Sequence, residues 1–151
     1  MNPTLHLALY RGTRAENPAA LVFDRLICWR TKSRWSHAEL VLDHHPSGPS
    51  LCASSSIRDD GVRTKLINLN SGRWDVYPLP AGIDAAAAHR WFEQKNGRPY
   101  DILGVLGFVL PLPIHWGAAW YCSEAVAAAI GVQNRVWISP QRLAQLVGVT
   151  S

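Results

Sequence analysis

Apolar and polar residues alternate along several short segments in the first half of the chain, which is the pattern of half-buried β-strands. Two of these segments flank Pro46-Ser47-Gly48-Pro49, a strong turn signal. The turn predicts a hairpin in which the two strands run antiparallel. The predicted strands cover residues 4–10, 35–42, 51–55, 61–69 and 74–77.

One helix is predicted within this strand-rich half, over residues 19–29. Asn17 and Pro18 precede it as an N-cap and a proline at the first helical position. Its apolar residues recur at helical spacing, and they are Leu21, Val22, Leu26 and Trp29.

The second half of the chain changes to helical patterns. Asp84 is the expected cap of a helix over 85–94, which Asn96-Gly97 ends. Ser139-Pro140 opens a last helix that runs to residue 147, and further helices are predicted over 100–109 and 123–130. Strands followed by helices predict an α+β domain, with an antiparallel sheet packed against helices. With no repeat or linker visible, residues 1–151 are expected to form one domain.

Composition narrows the classes of function. The chain is 48% hydrophobic and 17% charged, as expected for a globular protein. Its net charge of +4 comes from scattered basic residues without interleaved aromatic residues, so no nucleic-acid partner is predicted. Three cysteines do not form a disulfide framework, and none has zinc-ligand spacing. The N-terminal residues lack the pattern of a secretory signal, which predicts a cytoplasmic protein.

Residues 102–121 form a nearly uncharged run about as long as a membrane span. Pro111, Pro113 and His115 interrupt it, which favours a helix, a turn and a second helix over a single spanning helix. A weak membrane contact stays open as an alternative.

Cys122 is the first candidate for chemistry, because it lies at or just before a predicted helix N-terminus in WYCSEAVAAAIG. The helix dipole and the free N–H groups there favour a thiolate and could form part of an oxyanion hole. The alternative is a small buried residue in an Ala-rich helix.

His37, on the predicted strand WSHAELVL, could accept the proton of such a thiol. His6 and His115 are not excluded by type. If Leu42 pairs with Leu51 across the turn, Glu39 faces Ser54 and His37 faces Ser56. Ser54 or Glu39 would then be able to hold the imidazole, and a one-residue slip would remove the serines from that face.

These motifs resemble those of a known family. SHAELVL, then GRPYD, then YCSEAV is similar to the circularly permuted NlpC/P60-like cysteine hydrolases, papain-like bacterial and phage proteins related to the lecithin:retinol acyltransferase group. The permuted branch has its histidine before its cysteine, and His37 lies 85 residues before Cys122. The resemblance covers roughly residues 7–146.

The resemblance implies that Cys122 is the nucleophile and His37 the base of a hydrolase or acyltransferase that forms an acyl-cysteine intermediate. The expected substrate is an amide or ester, either a cell-wall peptide or a lipid acyl group, and no metal ion or organic cofactor is implied. Tyr100, in GRPY, matches a tyrosine near the nucleophile, and with Tyr121 it is expected to contact substrate. Where many permuted members carry Glu or His, this chain has CASSS, so the third catalytic group stays open between Ser54 and Glu39. The alternative function is a non-catalytic binding module, or an accessory protein of a phage or a membrane.

Overall fold

The computed structural model describes residues 4–12, 18–109, 118–133 and 138–149. They form an α+β structure in which one five-stranded antiparallel sheet packs against helices. The strands are β1 (His6–Arg11), β2 (Trp35–Asp43), β3 (Ser50–Ser56), β4 (Gly61–Ile67) and β5 (Trp74–Pro78). The helices are α1 (Pro18–Thr31), α2 (Ala85–Lys95), α3 (Ile102–Val109), α4 (Cys122–Ala129) and α5 (Pro140–Leu146), with a short 3₁₀ helix at Ile57–Asp59.

β2 is the central strand of the sheet, whose order is β4-β3-β2-β1-β5. It pairs with β3 through Leu40 opposite Ala53 and Val41 opposite Cys52, which is the predicted register. The predicted pair of Leu42 with Leu51 is wrong, because an irregularity after Val41 brings Asp43 opposite Leu51 instead. Such an extra residue is the usual form of a β-bulge next to a hairpin turn.

The main core lies between one face of the sheet and the helices α2, α4 and α5. Ala38 and Leu40 of β2 face it, and both are fully buried. Helix α4 contributes Ala125 and Ala127, whose small side chains let its backbone approach the sheet closely. The Ala-rich composition of α4 therefore explains how its N-terminus comes to lie against β2 and β3.

Side-chain caps start three helices. Asp84 accepts a hydrogen bond from Ala87 N at 2.9 Å, and Ser139 accepts one from Arg142 N at 3.1 Å, as the sequence predicts. Asp101 accepts one from Gly104 N at 2.8 Å, so α3 begins at Ile102, two residues after its predicted start. The predicted cap Asn17 lies outside the described residues.

Helix α1 forms where predicted, but its regularly spaced apolar residues do not face the core. Val22, Leu26 and Trp29 are exposed, whereas Ile27 and Cys28 are buried. Periodicity predicts a helix from any regular apolar stripe, and it carries no information on which stripe the rest of the fold covers.

In the described part of the chain, no helix combines the length and the apolar composition that crossing a membrane requires. The predicted turn with Pro111, Pro113 and His115 lies outside the described residues.

Candidate active site

Cys122 is the first residue of α4, and Tyr121, the N-cap residue, does not cap the helix with its side chain. The thiol is nearly buried, with 5% of the residue exposed. Backbone hydrogen bonds from Ala38 and Ser123 reach the sulfur. The amide of Ser123, which a side-chain cap could occupy, thus serves the sulfur instead, together with the amide of Ala38 from β2.

The sheet opens where Cys122 meets it. Among the described residues, Leu40 and Ala53 are the last pair of the β2–β3 ladder on the side of His37. Beyond that pair, the hydroxyl of Ser54 donates to the carbonyl oxygen of Ala38 at 2.6 Å, and that of Ser55 donates to Trp120 O at 2.6 Å. The serines therefore satisfy backbone groups where the strands separate.

This arrangement answers the question left between Ser54 and Glu39. The Ser54 hydroxyl donates to the backbone of Ala38, so the expectation that it holds the imidazole is wrong. Instead, Nε2 of His37 donates to Oε1 of Glu39 at 2.8 Å. The predicted pairs of Glu39 with Ser54 and of His37 with Ser56 are also wrong, because the β2–β3 ladder ends at Leu40 and Ala53. Beyond that point the Ser54 hydroxyl bonds to the backbone instead.

The side chains of His37 and Cys122 lie close enough to interact, and each shifts the pKa of the other. Because Glu39 engages Nε2, Nδ1 is the ring nitrogen left for the sulfur. Burial opposes the charge of each group, but their mutual attraction outweighs it: the pKa of His37 rises to about 9 and that of Cys122 falls. Glu39 adds to the rise at His37. Both shifts favour the thiolate–imidazolium form of the pair.

Glu39 is 1% exposed, and Arg63 of β4 compensates its charge. The guanidinium donates through Nη1 to Oε2 at 2.7 Å and through Nη2 to Oε1, while its Nε donates to Asp59 Oδ2 at 2.7 Å. Burial raises the pKa of Glu39, but the hydrogen bonds from His37 and Arg63 outweigh burial and lower it. The carboxylate therefore stays ionised although it is buried.

Arg63 was missed by sequence reasoning. Arg63 on β4 pairs with Ser54 on β3. Ser54 directly follows Ala53, which pairs with Leu40, the residue after Glu39 on β2. The guanidinium consequently reaches Glu39 across an intervening strand on which the facing residue is small. The sequence could have indicated this ion pair, because a basic residue aligned with a buried acid across one intervening strand can reach it.

A cleft of about 470 Å³ opens beside this group. His37 and Tyr100 line it, whereas Cys122, which interacts with both side chains, does not. The lining combines carboxylates, cations and aromatic rings, and it includes Asp24, Arg58, Arg63, Lys65, Tyr10 and Trp74.

The two tyrosines expected to contact substrate have different positions. Tyr100 lines the cleft close to Cys122, and burial together with the negative charge of that sulfur raises its pKa, so its hydroxyl keeps its proton. Tyr121 is 2% exposed and packs against Ile27 and Val105 instead of lining the cleft. The expected substrate contact of Tyr121 is therefore wrong for this cleft, since its side chain faces the α1–α3 contact.

Cys28, Cys52 and His6 are less suited to act as nucleophile or base than Cys122 and His37. Burial raises the pKa of Cys28 to about 11 and that of Cys52 to about 12. His6 stacks against His44 with ring centroids 4.6 Å apart. His115 lies outside the described residues.

Within the described residues, no group of three or more His, Cys, Asp or Glu side chains is arranged to hold a metal ion. A scan against protein-family models finds no match, and a search of curated protein sequences finds no significant similarity. The function proposed below is therefore argued from the geometry of the site.

Proposed function

We propose that this chain is a cysteine hydrolase or acyltransferase with Cys122 as nucleophile, His37 as acid and base, and Glu39 as the group that orients His37. One observation carries the proposal: the imidazole of His37 hydrogen-bonds Glu39 through Nε2 and lies close enough to the Cys122 sulfur that each group shifts the pKa of the other. A nucleophile next to a base that is held by a third group is the arrangement that activates the nucleophile in acyl-transfer enzymes.

In the acylation step, the Cys122 thiolate attacks the carbonyl carbon of an amide or ester. The C–S bond forms, and the carbonyl oxygen takes the negative charge. As the tetrahedral intermediate collapses, the carbon–heteroatom bond breaks and imidazolium His37 gives its proton to the leaving amine or alcohol. The product is a thioester on Cys122 and a neutral imidazole.

In the second step, neutral His37 removes a proton from water, which attacks the thioester carbonyl. Collapse of this intermediate breaks the C–S bond, releases the acid and restores the thiolate beside an imidazolium. An alcohol or amine that replaces water gives acyl transfer. Tyr100, protonated and close to the sulfur, is the candidate donor to the carbonyl oxygen.

The arrangement also supports a circularly permuted papain-like fold. A strand-borne histidine precedes a cysteine at a helix N-terminus, and that helix packs against the histidine strand and its neighbour. This order along the chain is the one that the resemblance implies.

A direct test is to trap the acyl-enzyme. Intact-mass spectrometry after mixing with p-nitrophenyl acetate should detect an added acetyl group on Cys122 in the wild type, followed by its hydrolysis. Cys122→Ala should acquire none there, and His37→Ala should acylate about 10²–10⁴ times more slowly, since it lacks the proton acceptor.

Cys52→Ala is the matched control, because it removes a buried thiol outside the proposed site and should leave acylation unchanged. Acylation of Cys52 in the wild type, or equal acylation of wild type and His37→Ala, would contradict the proposal. A non-catalytic binding module would show equal acylation of the wild type and His37→Ala.

A further inference from the structure

Helix α1 exposes an apolar stripe on the side opposite its buried residues. Val22 is 69% exposed and Trp29 is 74% exposed, and the partly exposed Leu26 lies between them. Their spacing of four and three residues places them on one face of the helix, whereas Ile27 and Cys28 face inward. An exposed tryptophan within a continuous apolar stripe is typical of an interaction surface and not of a solvated helix.

Helix α3 extends the exposed apolar surface. It packs against α1 through Val105 and Ile27, which share a buried cluster with Tyr121. On its exposed side it carries Ile102, Leu103 and Leu106. Among the side chains that the structure describes in these two neighbouring helices, six large apolar ones are thus exposed to solvent.

The charges around this surface indicate what covers it. Arg25 and Arg30 are exposed, and helical geometry places them on either side of the stripe formed by Val22, Leu26 and Trp29. The sequences of α1 and α3 contain one carboxylate, Asp24, and it is buried. The helices therefore combine an exposed apolar stripe, a tryptophan and flanking arginines, and they expose no acidic residue of their own. This combination is typical of helices that lie in the interface of an anionic bilayer.

We propose that α1 and α3 form a docking surface for an anionic lipid bilayer, on which the protein lies peripherally. Apolar side chains enter the headgroup boundary, and Arg25 and Arg30 remain at the level of the phosphates. The surface adjoins the cleft, since Asp24 of α1 and Tyr100, just before α3, both line it. This docking does not depend on the proposed hydrolase activity.

The test is cosedimentation of the whole protein with vesicles, using phosphatidylcholine alone and phosphatidylcholine mixed with phosphatidylglycerol. The wild type should sediment with the anionic vesicles and much less with the neutral ones. Trp29→Ser should weaken binding roughly tenfold or more, because it removes a large interfacial side chain. Leu66→Ser is the matched control, since Leu66 is 66% exposed on β4, away from this surface, and its loss should leave binding unchanged.

Charge is tested separately. Arg25→Gln with Arg30→Gln should weaken binding to anionic vesicles about 25-fold, at roughly fivefold for each arginine near the surface. Arg90→Gln with Arg98→Gln removes the same charge from exposed positions outside the two helices, and it should have a clearly smaller effect.

Three results would overturn the proposal. They are no binding to anionic vesicles, binding that Trp29→Ser leaves unchanged, and equal binding of wild type to neutral and anionic vesicles. A dimer in sedimentation velocity that Trp29→Ser dissociates, without vesicle binding, would show instead that a second copy of the chain covers this surface.

Discussion

At the scale of single residues, Glu39 lies between two cations. It accepts from the His37 imidazole on one side and from the Arg63 guanidinium on the other. The carboxylate raises the pKa of His37, and Arg63 offsets part of its charge. The His37 pKa of about 9 therefore depends on both partners and on the nearby thiolate.

Replacing Glu39 with glutamine should lower the pKa of His37, because the neutral amide no longer stabilises the imidazolium. It should also lower the free energy of unfolding by about 3 kcal/mol, since Arg63 keeps only Asp59 as an acidic partner. The His37 pKa can be followed by NMR titration of its ring C–H signals, with His37→Ala to assign them.

Ser54→Ala is the control for this prediction. It removes the hydrogen bond to Ala38 and should cost about 1 kcal/mol of stability, but the pKa of His37 should not move. If Ser54→Ala shifts that pKa and Glu39→Gln does not, the orienting group has been assigned to the wrong residue.

At the scale of elements, the site spans three neighbouring strands and one helix. Strand β2 supplies His37 and Glu39, β4 supplies Arg63, and α4 brings Cys122 to the opening between β2 and β3. The charge network that starts at Cys122 and His37 continues through Glu39, Arg63 and Asp59 to Lys65, whose Nζ donates to Asp59 at 2.6 Å. Removing Arg63 and removing Lys65 should therefore have different effects on the pKa of His37.

Arg63→Met should raise the pKa of His37, because it removes a nearby positive charge and leaves Glu39 without its main counter-ion. The same change should destabilise the fold by about 3 kcal/mol. Lys65→Met is a matched control: Lys65 bonds Asp59 and not Glu39, and its side chain is largely exposed. The same NMR titration should find no change in Lys65→Met, and an unchanged His37 pKa in Arg63→Met would remove Arg63 from the network.

The segment that leads to Tyr100 is hydrogen-bonded to β4 at Val62 and lies close against Gly61. Val62 N donates to Arg98 O at 2.9 Å, and Gly97 N donates to Val62 O at 2.9 Å. Gly61 has φ +136°, and a Cβ atom there would lie 1.9 Å from Arg98 O. No side chain fits this position without displacing the segment.

Gly61→Ala should therefore lower the melting temperature by several degrees, since both the backbone conformation and the contact become unfavourable. Gly48→Ala is the matched control, because a Cβ atom there meets nothing within 4 Å. Calorimetry of both variants measures the difference, and equal melting temperatures would mean that the 97–100 segment is not held against β4 in this way.

The elements themselves followed from local patterns, and their packing did not. The caps Asp84 and Ser139 were predictable because a cap bonds amides two or three residues away. The exposed face of α1 was not, because it depends on what the rest of the chain covers. Likewise, Tyr121 was assigned from its place next to Cys122, but neighbours on a helix or at its cap point in different directions.

At the scale of the whole molecule, the site joins residues that are far apart along the chain. The positions of Cys122, at a helix N-terminus, and of His37, on the central strand, could be predicted because each carries a local sequence pattern. Arg63 could not, since its role exists only after β2, β3 and β4 have aligned. Long-range charge compensation is thus the part of this site that local sequence patterns do not contain.

The reactivity of the three thiols measures the central claim most directly. Native protein is treated with limiting iodoacetamide from pH 5 to pH 9, and peptide mass spectrometry gives the alkylation rate of Cys28, Cys52 and Cys122. Cys122 should react first and should remain reactive well below the ordinary thiol pKa of about 8.5, since His37 keeps it ionised. His37→Ala should remove this advantage, and in denaturant all three thiols should react alike. Equal rates in the native protein, or a Cys122 rate that rises only near pH 8.5, would contradict the thiolate–imidazolium pair on which the proposed function depends.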